Sequence, residues 1–500
     1  MQEIARNKPN QTKPQIISCL ALLALAYTPT VQAEQARDMI VMLKSSAVDK
    51  QFVAPNVRID NVFLDQRVAA NSEAWASVSL KTAALVHDLE SSHQLKARGV
   101  FGALTHGFGA SLTDTQISRL KSDPRIESVF SDAVGRPAGT PSLWSNNPVV
   151  PTQNWTFGWN LYAIGANANP NYRTQENYPI KAYVIDAGIQ PHTDLKFDWQ
   201  TDHISFDMHG NTPQYSPVCD SHGTHVAGII GANWTASPWG VEGVAPGISL
   251  KSVRVINYCK PFGTGLTYLS DVLSAINWVS SQVGPYNSAV TRRLGAIANM
   301  SIVWDGVNPA SSLYINPAAQ TALRDTIARA TQNGVFFSFA AGNSNEPACN
   351  IYPAALAKNI NGAMAVGAIA DTGLAMSYGE TIATYGPCVE IWAPGQSVQS
   401  TGADPMTGNG NPAPDAWGYI AGTNNYYQAM TGSSMAAPHV AGAAALVARL
   451  YQQNGRALPY PAEIEAMLKN PLKTRQLGSY GPPPYTGTIN LLRIDNITLN

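Results

Sequence analysis

The chain has 500 residues, of which 45% are hydrophobic, and its formal net charge is -1 at pH 7. This composition excludes a disordered polyelectrolyte, and the balanced charge argues against a nucleic-acid binder with a basic face. Charged residues make up only 13% of the chain, which is about half the share usual in soluble domains. We therefore expect a globular protein with few surface ion pairs, and the length allows about three domains.

The N-terminus carries the pattern of a secretory signal peptide. Arg6, Lys8 and Lys13 precede an apolar stretch at residues 16–27, and Ala33 ends a small-x-small sequence. The apolar stretch is too short to cross a bilayer, because a membrane-spanning helix needs about 20 apolar residues. We expect cleavage after Ala33, secretion, and a mature protein without a membrane span. The alternative is a buried N-terminal helix.

Residues 34–132 predict a small α+β module. Strand patterns lie at 38–43, 99–104 and 126–130, and helical patterns lie at 72–95 and 113–121, with Thr113 as a candidate N-cap. Residues 135–151 are rich in Pro, Gly and Ser and predict a linker or cleavage region.

The remainder, residues 152–500, alternates apolar β-branched runs with helical patterns. This alternation predicts an α/β fold with a mostly parallel sheet covered by helices on both faces. We divide the chain at this stage into residues 1–33, 34–140 and 141–500.

Cysteine usage agrees with export. Of the five cysteines, Cys19 lies in the signal sequence, and the other four allow two disulfide bonds in one of three pairings. We favour the two pairs that are close in sequence, Cys219 with Cys259 and Cys349 with Cys388.

Three polar residues stand beside glycines at the edges of apolar elements. Asp186 ends a strand pattern, His222 lies in the first turn of a predicted helix, and Ser434 lies at the start of an alanine-rich helix. In open α/β sheets sites form beyond the carboxyl ends of strands, and a helix N-terminus favours a developing oxyanion. Asp, His and Ser can supply an orienting carboxylate, a base and a nucleophile, but spacing alone does not bring them together.

The blocks at residues 186–188, 222–228, 340–343 and 432–442 resemble, in that order, the signature blocks of the subtilisin-like serine peptidases. The chain order Asp, His, Ser matches as well. The resemblance covers about residues 155–450, and its serine and histidine blocks are highly specific. It implies the subtilisin-like fold, polypeptide substrates, a monomer that binds no nucleic acid, and chemistry that needs no cofactor.

The resemblance also assigns roles. Ser434 would be the nucleophile, His222 the general base and later acid, and Asp186 the carboxylate that orients the imidazole. Asn343 would donate its amide to the oxyanion beside the backbone N–H of Ser434. Ser433 is the weaker candidate nucleophile, because the following Met-Ala-x-Pro sets the register on Ser434. The residues expected to flank the substrate are Ser301, Ile302, Ala340, Ala341 and Gly342.

The N-terminal module resembles the inhibitor-type propeptide of the same peptidases, which assists folding and blocks the site until it is removed. Under this interpretation the propeptide is an intramolecular inhibitor and is cut off by autocleavage between about residues 132 and 147. The alternative is a permanent accessory domain.

Two departures from the family pattern bear on function. Ala187 stands where Ser or Thr is usual, so a hydroxyl near the catalytic carboxylate is lost. Val303 and Trp304 replace two glycines where substrate should lie against an edge strand, and glycine there permits close backbone approach. We therefore expect altered or restricted specificity. The long stretch at residues 401–430 either walls the cleft or is a surface insertion.

Metal sites stay unassigned. His225 and His439 are interpreted as packing residues, because no third ligand accompanies them. Relatives often bind structural calcium, but no acidic cluster here has the spacing of a calcium loop.

Two other functions compete with the peptidase. One is a non-catalytic or very narrow-specificity binding protein on the same fold, suggested by Ala187 and by Val303 and Trp304. The other is an esterase of the α/β-hydrolase class, which the Asp, His, Ser order argues against.

Overall fold

The computed structural model describes residues 34–52, 78–138, 158–169, 172, 177–207, 221–233, 240–258, 265–378, 381–403, 426–471, 473–480, 487–495 and 497–499. The chain divides into a unit of Met1–Gln35, of which Glu34 and Gln35 are described, and a unit of Ala36–Asn500. The predicted signal peptide at residues 1–33 lies outside the described residues.

The N-terminal module is an antiparallel sheet with the strand order β2-β3-β1-β4. Helix α2 starts after Ser79, whose side chain accepts from the Thr82 N–H, and α3 starts at a capping box formed by Thr113 and Gln116. The described elements of the module are β1 (Arg37–Leu43), α1 (Ser45–Lys50), α2 (Leu80–His93), β2 (Ala97–Phe101), β3 (Gly107–Leu112), α3 (Asp114–Ser122) and β4 (Ile126–Ser131). The next strand along the chain is β5 (Val134–Pro137).

The larger part of the chain is built on a nine-stranded sheet with the order β21-β22-β18-β15-β13-β11-β6-β8-β7. Its described elements are α4 (Trp159–Ala163), β6 (Lys181–Asp186), α5 (Trp199–Asp202), β7 (His203–Ser205), α6 (His222–Gly231), β8 (Leu250–Arg254), β9 (Ile256–Tyr258), β10 (Leu266–Tyr268), α7 (Leu269–Val283), β11 (Ala296–Met300), β12 (Ile302–Asp305), α8 (Pro317–Gln332), β13 (Val335–Ala340), β14 (Ile351–Tyr352), α9 (Ala354–Ala357), β15 (Ala363–Ile369), β16 (Ser377–Tyr378), β17 (Thr381–Ile382), β18 (Ile391–Pro394), β19 (Val398–Gly402), β20 (Tyr426–Met430), α10 (Ser433–Gln453), α11 (Pro461–Leu468), β21 (Arg475–Tyr480) and β22 (Gly487–Leu491).

The sheet is parallel from β22 through β18 to β7, and only its β21–β22 pair is antiparallel within the described strands. Successive side chains of β13 enter different cores: Phe336 packs with residues of α6 and α10, whereas Phe337 and Phe339 pack with residues of α7 and α8. This alternation follows from the period of two along a strand. The predicted fold class, a mostly parallel sheet covered on both faces, is confirmed.

The N-terminal module packs against the larger part of the chain through its sheet. Met39 and Val41 of β1 belong to the module's own core, and Ile40 and Met42 belong to the core that contains α7 and α8. The module is therefore buried on both faces of its central strand.

The predicted strand at residues 99–104 is wrong at its carboxyl end, because β2 stops at Phe101. The backbone N–H groups of Ala103, Leu104 and Thr105 donate to Oδ1 of Asn277 on α7, at 3.0, 2.7 and 3.4 Å. A buried side chain thus takes the donors that a longer strand would have given to its neighbour.

The stretch at residues 135–151, which was predicted to be a linker or cleavage region, begins as a strand, since Val134–Pro137 forms β5. Pairing with β10 and β12 on either side supplies the hydrogen bonds that this Gly- and Pro-containing stretch could not make alone. The rest of this stretch, residues 139–151, lies outside the described residues.

A disulfide bond joins Cys349 and Cys388, with 5.2 Å between the Cα atoms, as predicted. The other predicted pair, Cys219 and Cys259, lies outside the described residues. Across the described part of the chain, no helix is both long enough and apolar enough to cross a membrane.

Candidate active site

The candidate site lies at the carboxyl ends of β6, β11 and β13. Asp186 is the last residue of β6, and His222 is the first residue of α6. Nδ1 of His222 lies 2.7 Å from Oδ1 of Asp186, and both side chains are buried. The carboxylate fixes the imidazole so that Nδ1 carries the proton in this hydrogen bond.

Ser434 lies in the first turn of α10 and its hydroxyl faces β11 and β12. Oγ of Ser434 donates to the backbone carbonyl oxygen of Ser301 at 3.4 Å. The neighbouring Ser433 is used differently, because its Oγ accepts from the N–H of Gly342 at 2.9 Å. The two adjacent serines are thus distinguished by their contacts, and Ser433 supports the loop after β13.

The loop after β13 carries Asn343. Its Oδ1 accepts from the N–H of Ser433 at 2.8 Å, so the orientation of the amide is set. Its Nδ2 then donates to the backbone carbonyl oxygen of Ala138. The backbone N–H of Ser434 donates to the same oxygen at 3.3 Å. Two donors on different elements therefore converge on one carbonyl.

The segment that ends at Ala138 lies in the cleft as a strand. β5 is antiparallel both to β12, with Pro137 opposite Ile302, and to β10, with Gly135 opposite Thr267. The N–H of Ala138 continues this ladder by donating to Ser301 O at 2.8 Å. An extended peptide that adds a strand between two edges is a common recognition mode.

The predicted substrate-flanking residues fall into two groups. Ser301 and Ile302 contact the segment through the backbone, as described above, and Ala340 shares a buried cluster with Ala138. Ala341 packs with Ala348 and Cys388, and Gly342 holds the Ser433 hydroxyl, so these two support the loop that carries Asn343.

The Asp186 carboxylate lies beside Ala187, the position at which the family pattern has Ser or Thr. Its Oδ1 accepts from the Ala187 N–H at 2.7 Å in addition to the histidine. Its Oδ2 is buried and has no hydrogen-bond partner among the described residues. This agrees with the expectation that a hydroxyl donor is missing beside the carboxylate.

The other two motif histidines make hydrogen bonds within the fold. Nε2 of His225 lies 2.9 and 3.0 Å from the carbonyl oxygens of Val398 and Gln428. Burial lowers the pKa of His225 to about 3 and that of His439 to about 4, so both are neutral at physiological pH. In the described ranges, no cluster of three or more His, Cys, Asp or Glu side chains could hold a metal ion. We assign no calcium ligands.

The two ends of the 401–430 stretch pair as the β19–β20 hairpin, which braces the helix that carries His222. Ser400 Oγ donates to the carbonyl of His225, and Thr401 Oγ1 donates to that of Thr224, both at 2.7 Å. The hairpin base is therefore part of the site's support. The stretch that was expected to wall the cleft or form a surface insertion is residues 401–430, and its middle part, residues 404–425, lies outside the described residues.

Sequence reasoning missed Ala138 and the β10 edge. β10 carries no motif. Near Ala138 the sequence gave one indication of a role, namely that the residue lies inside the stretch predicted to be a linker or cleavage region.

Known proteins resemble this chain over most of its length. The subtilase family model matches residues 179–481. Alkaline serine exoprotease A of Vibrio alginolyticus is 31% identical over 384 residues, which cover 75% of this chain and 57% of that protein, less than two thirds of its length. The extracellular serine proteinase of Thermus sp. (strain Rt41A) is 30% identical over 391 residues, which cover 77% of this chain and 75% of that protein.

The solved structure of fervidolysin from Fervidobacterium pennivorans, described as a keratinolytic enzyme related to subtilisin, has the same fold. Its TM-score is 0.58 at 19% identity, and the match covers 93% of this chain and 61% of that chain. The sheet order, the motif blocks and the family match lead to one conclusion: this chain belongs to the subtilase family of serine peptidases.

Proposed function

We propose that the protein is a secreted serine endopeptidase made as a zymogen, and that its first substrate is its own peptide bond after Ala138. Residues 1–33 are the signal peptide, residues 34–138 the inhibitor propeptide, and the catalytic domain starts at Gly139. This moves the proposed boundary two residues back from the value of 140 predicted from sequence.

One observation carries the proposal. The carbonyl oxygen of Ala138 accepts hydrogen bonds from both the Asn343 amide and the Ser434 N–H. These are the donors expected to stabilise an oxyanion, and they act on the atom that becomes negative during acyl transfer. Two such hydrogen bonds to one carbonyl oxygen are those expected for the substrate carbonyl next to the cleaved bond.

The chemistry follows from these positions. Nδ1 of His222 donates a hydrogen bond to Asp186, which leaves Nε2 as the basic nitrogen of the ring. Nε2 therefore takes the proton from Oγ of Ser434 as that oxygen attacks the Ala138 carbonyl carbon. The oxyanion is stabilised by Asn343 and by the Ser434 N–H. The imidazolium then gives its proton to the leaving nitrogen of Gly139, and the C–N bond breaks.

The second half of the reaction releases the acyl group. Water attacks the ester that joins Ser434 to Ala138, and His222 takes a proton from the water. A second tetrahedral intermediate forms, whose oxyanion is again stabilised by Asn343 and by the Ser434 N–H. The imidazolium returns this proton to Oγ of Ser434 as the ester C–O bond breaks, and the propeptide leaves with a carboxylate at Ala138. The Asp186 carboxylate accepts the hydrogen bond from Nδ1 of His222 in both steps and so stabilises the imidazolium.

Inhibition by the propeptide is supported by its contacts outside the cleft. Asn277 accepts three backbone N–H groups of the module, and Arg329 donates to the Leu104 carbonyl at 2.6 Å. The N-terminus of α7 is capped by Asp132, whose Oδ1 accepts from the Ser270 N–H at 3.0 Å. A module held at several points keeps β5 in the cleft at a high effective concentration.

Secretion is supported by the signal pattern, by the disulfide bond and by the relative from Thermus sp., whose name describes it as extracellular. The test uses the full chain, expressed with export, as wild type and as Ser434→Ala. We expect the wild type to digest casein and to start at Gly139 by mass and N-terminal sequencing. We expect Ser434→Ala to retain residues 34–138 and to leave casein intact. Equal digestion by both would overturn the catalytic assignment, and a wild-type N-terminus near Glu34 would overturn removal of the module.

A further inference from the structure

Trp304 fills the space into which a side chain at position 135 would point. A carbon placed as Cβ on Gly135 would lie 2.5 Å from Cε2 of Trp304 and 2.8 Å from its Cζ2 and Nε1. Carbon atoms that are not bonded prefer separations of about 3.5–4.0 Å. With the indole in this position, glycine is the residue that fits.

The indole is held in place. Trp304 is fully buried while the segment is bound, and it belongs to the core cluster that contains Ile302 and Ile315. Its Nε1 donates to the carbonyl oxygen of Ala133 at 3.3 Å. In a close-packed core a ring of this size has little room to move aside.

The next position of the segment, residue 136, is less restricted. Arg136 is exposed, which is expected because side chains alternate along a strand. The hydrogen bonds of the ladder to β10 and β12 involve backbone atoms, which every residue but proline provides. Discrimination at position 135 therefore depends on the space that Trp304 leaves.

We propose that Trp304 makes this peptidase selective for glycine at the fourth residue before the cleaved bond, counting Ala138 as the first. The inference rests on the proposed function, because it treats residues 135–138 as bound substrate. The substrate class is then polypeptides that present an extended stretch with glycine at this position. A glycine at position 304, as in the family pattern, would leave the space open.

The test measures kcat/KM of the secreted, processed enzyme on quenched fluorescent peptides with the sequence of residues 134–141. In further peptides Ala or Leu replaces Gly135, or Leu replaces Arg136. Overpacking an occupied site predicts that Leu at position 135 lowers kcat/KM by about ten- to a hundred-fold, with Ala between Gly and Leu. Leu at the exposed position 136 should change it by about two-fold at most.

Enzyme variants test whether Trp304 is the cause. Trp304→Gly and the milder Trp304→Leu should reduce the preference for glycine by about ten-fold or more, mainly by raising kcat/KM for the Leu peptide. Trp392→Phe, which alters a buried tryptophan on β18, should keep the wild-type preference. If Trp304→Gly is not secreted, Trp304→Leu and the wild-type peptide series decide the question.

The outcomes separate this inference from the proposed function. Equal kcat/KM of the wild type for Gly and Leu at position 135 would overturn the selectivity, and an unchanged preference in the Trp304 variants would overturn the role of Trp304. An enzyme that digests casein but cleaves none of these peptides would overturn the inference and the assignment of Ala138, while its peptidase activity stands. Loss of casein digestion as well would remove the proposed function itself.

Discussion

The two sides of the cleft hold the segment around Ala138 in different ways. On the Ser434 side, Asn343 and the Ser434 N–H contact a backbone carbonyl, which every residue possesses. On the β12 side, Trp304 covers Gly135 at the place where any other residue would have a side chain. Under the proposed function, the first side acts on all substrates alike, and the second distinguishes between them. Substitutions on the two sides should therefore change different kinetic quantities.

The largest effect is expected for the nucleophile. Ser434→Ala should lower kcat by about 10⁶-fold on every substrate, because no attacking oxygen remains. Ser433→Ala is the matched control: it loses one hydrogen bond to the Gly342 N–H and should stay within about ten-fold of wild type. For both variants, casein digestion measures peptidase activity and retention of residues 34–138 measures self-processing. Loss of activity in Ser433→Ala alone would reverse the assignment of the two serines.

The next largest effect is expected for the oxyanion donor. Asn343→Ala should lower kcat by about 100- to 1000-fold with little change in KM, because its hydrogen bond strengthens in the transition state. The loss should be the same for peptides with Gly and with Leu at position 135. A loss that differs between the two peptides would mean that the two sides of the cleft are not independent.

A smaller effect is expected when the selective side is tested within the chain itself. Gly135→Leu in the full-length protein should slow removal of residues 34–138 by about ten- to a hundred-fold, because the new side chain meets Trp304. Arg136→Leu, at an exposed position, is the control and should be processed normally. A pulse-chase of the secreted protein measures both rates, and prompt processing of Gly135→Leu would contradict the packing argument.

The smallest effect is expected away from the cleft. Asn277→Ala leaves three backbone N–H groups of the module without their acceptor and should speed dissociation of the cleaved module by about ten-fold. Asn333→Ala removes a buried amide that contacts Ser280 and Gly284 and, among the described residues, nothing in the module, so it should lower stability without this effect. Casein assays after processing follow the release. Equal release rates in the two variants would show that Asn277 does not hold the module.

Sequence alone predicted the parts of the site that depend on local patterns. Asp186, His222 and Ser434 each lie at an element boundary marked by glycine, and the sheet and its covering helices follow from hydrophobic alternation. The residues 134–137 could not be predicted as a strand, because their pairing partners Leu266–Tyr268 and Ile302–Asp305 lie far along the chain.

The same limit applies to the selective side of the cleft. Trp304 was visible as a departure from a glycine pattern, but its consequence depends on the antiparallel register that places Gly135 beside it. Likewise the end of β2 is set by Asn277, which belongs to a distant helix. Long-range contacts, which no local pattern contains, decided each of these cases.

The disulfide bond makes the support of the loop that carries Asn343 depend on the redox state of its surroundings. Ala341 packs against Ala348 and Cys388, so the bond between Cys349 and Cys388 lies under the loop that presents Asn343. Such bonds form in oxidising compartments and are rare in the cytosol. Under the proposed function, a copy that stays in a reducing cytoplasm would lack this support for Asn343 and should be less active there than the exported protein.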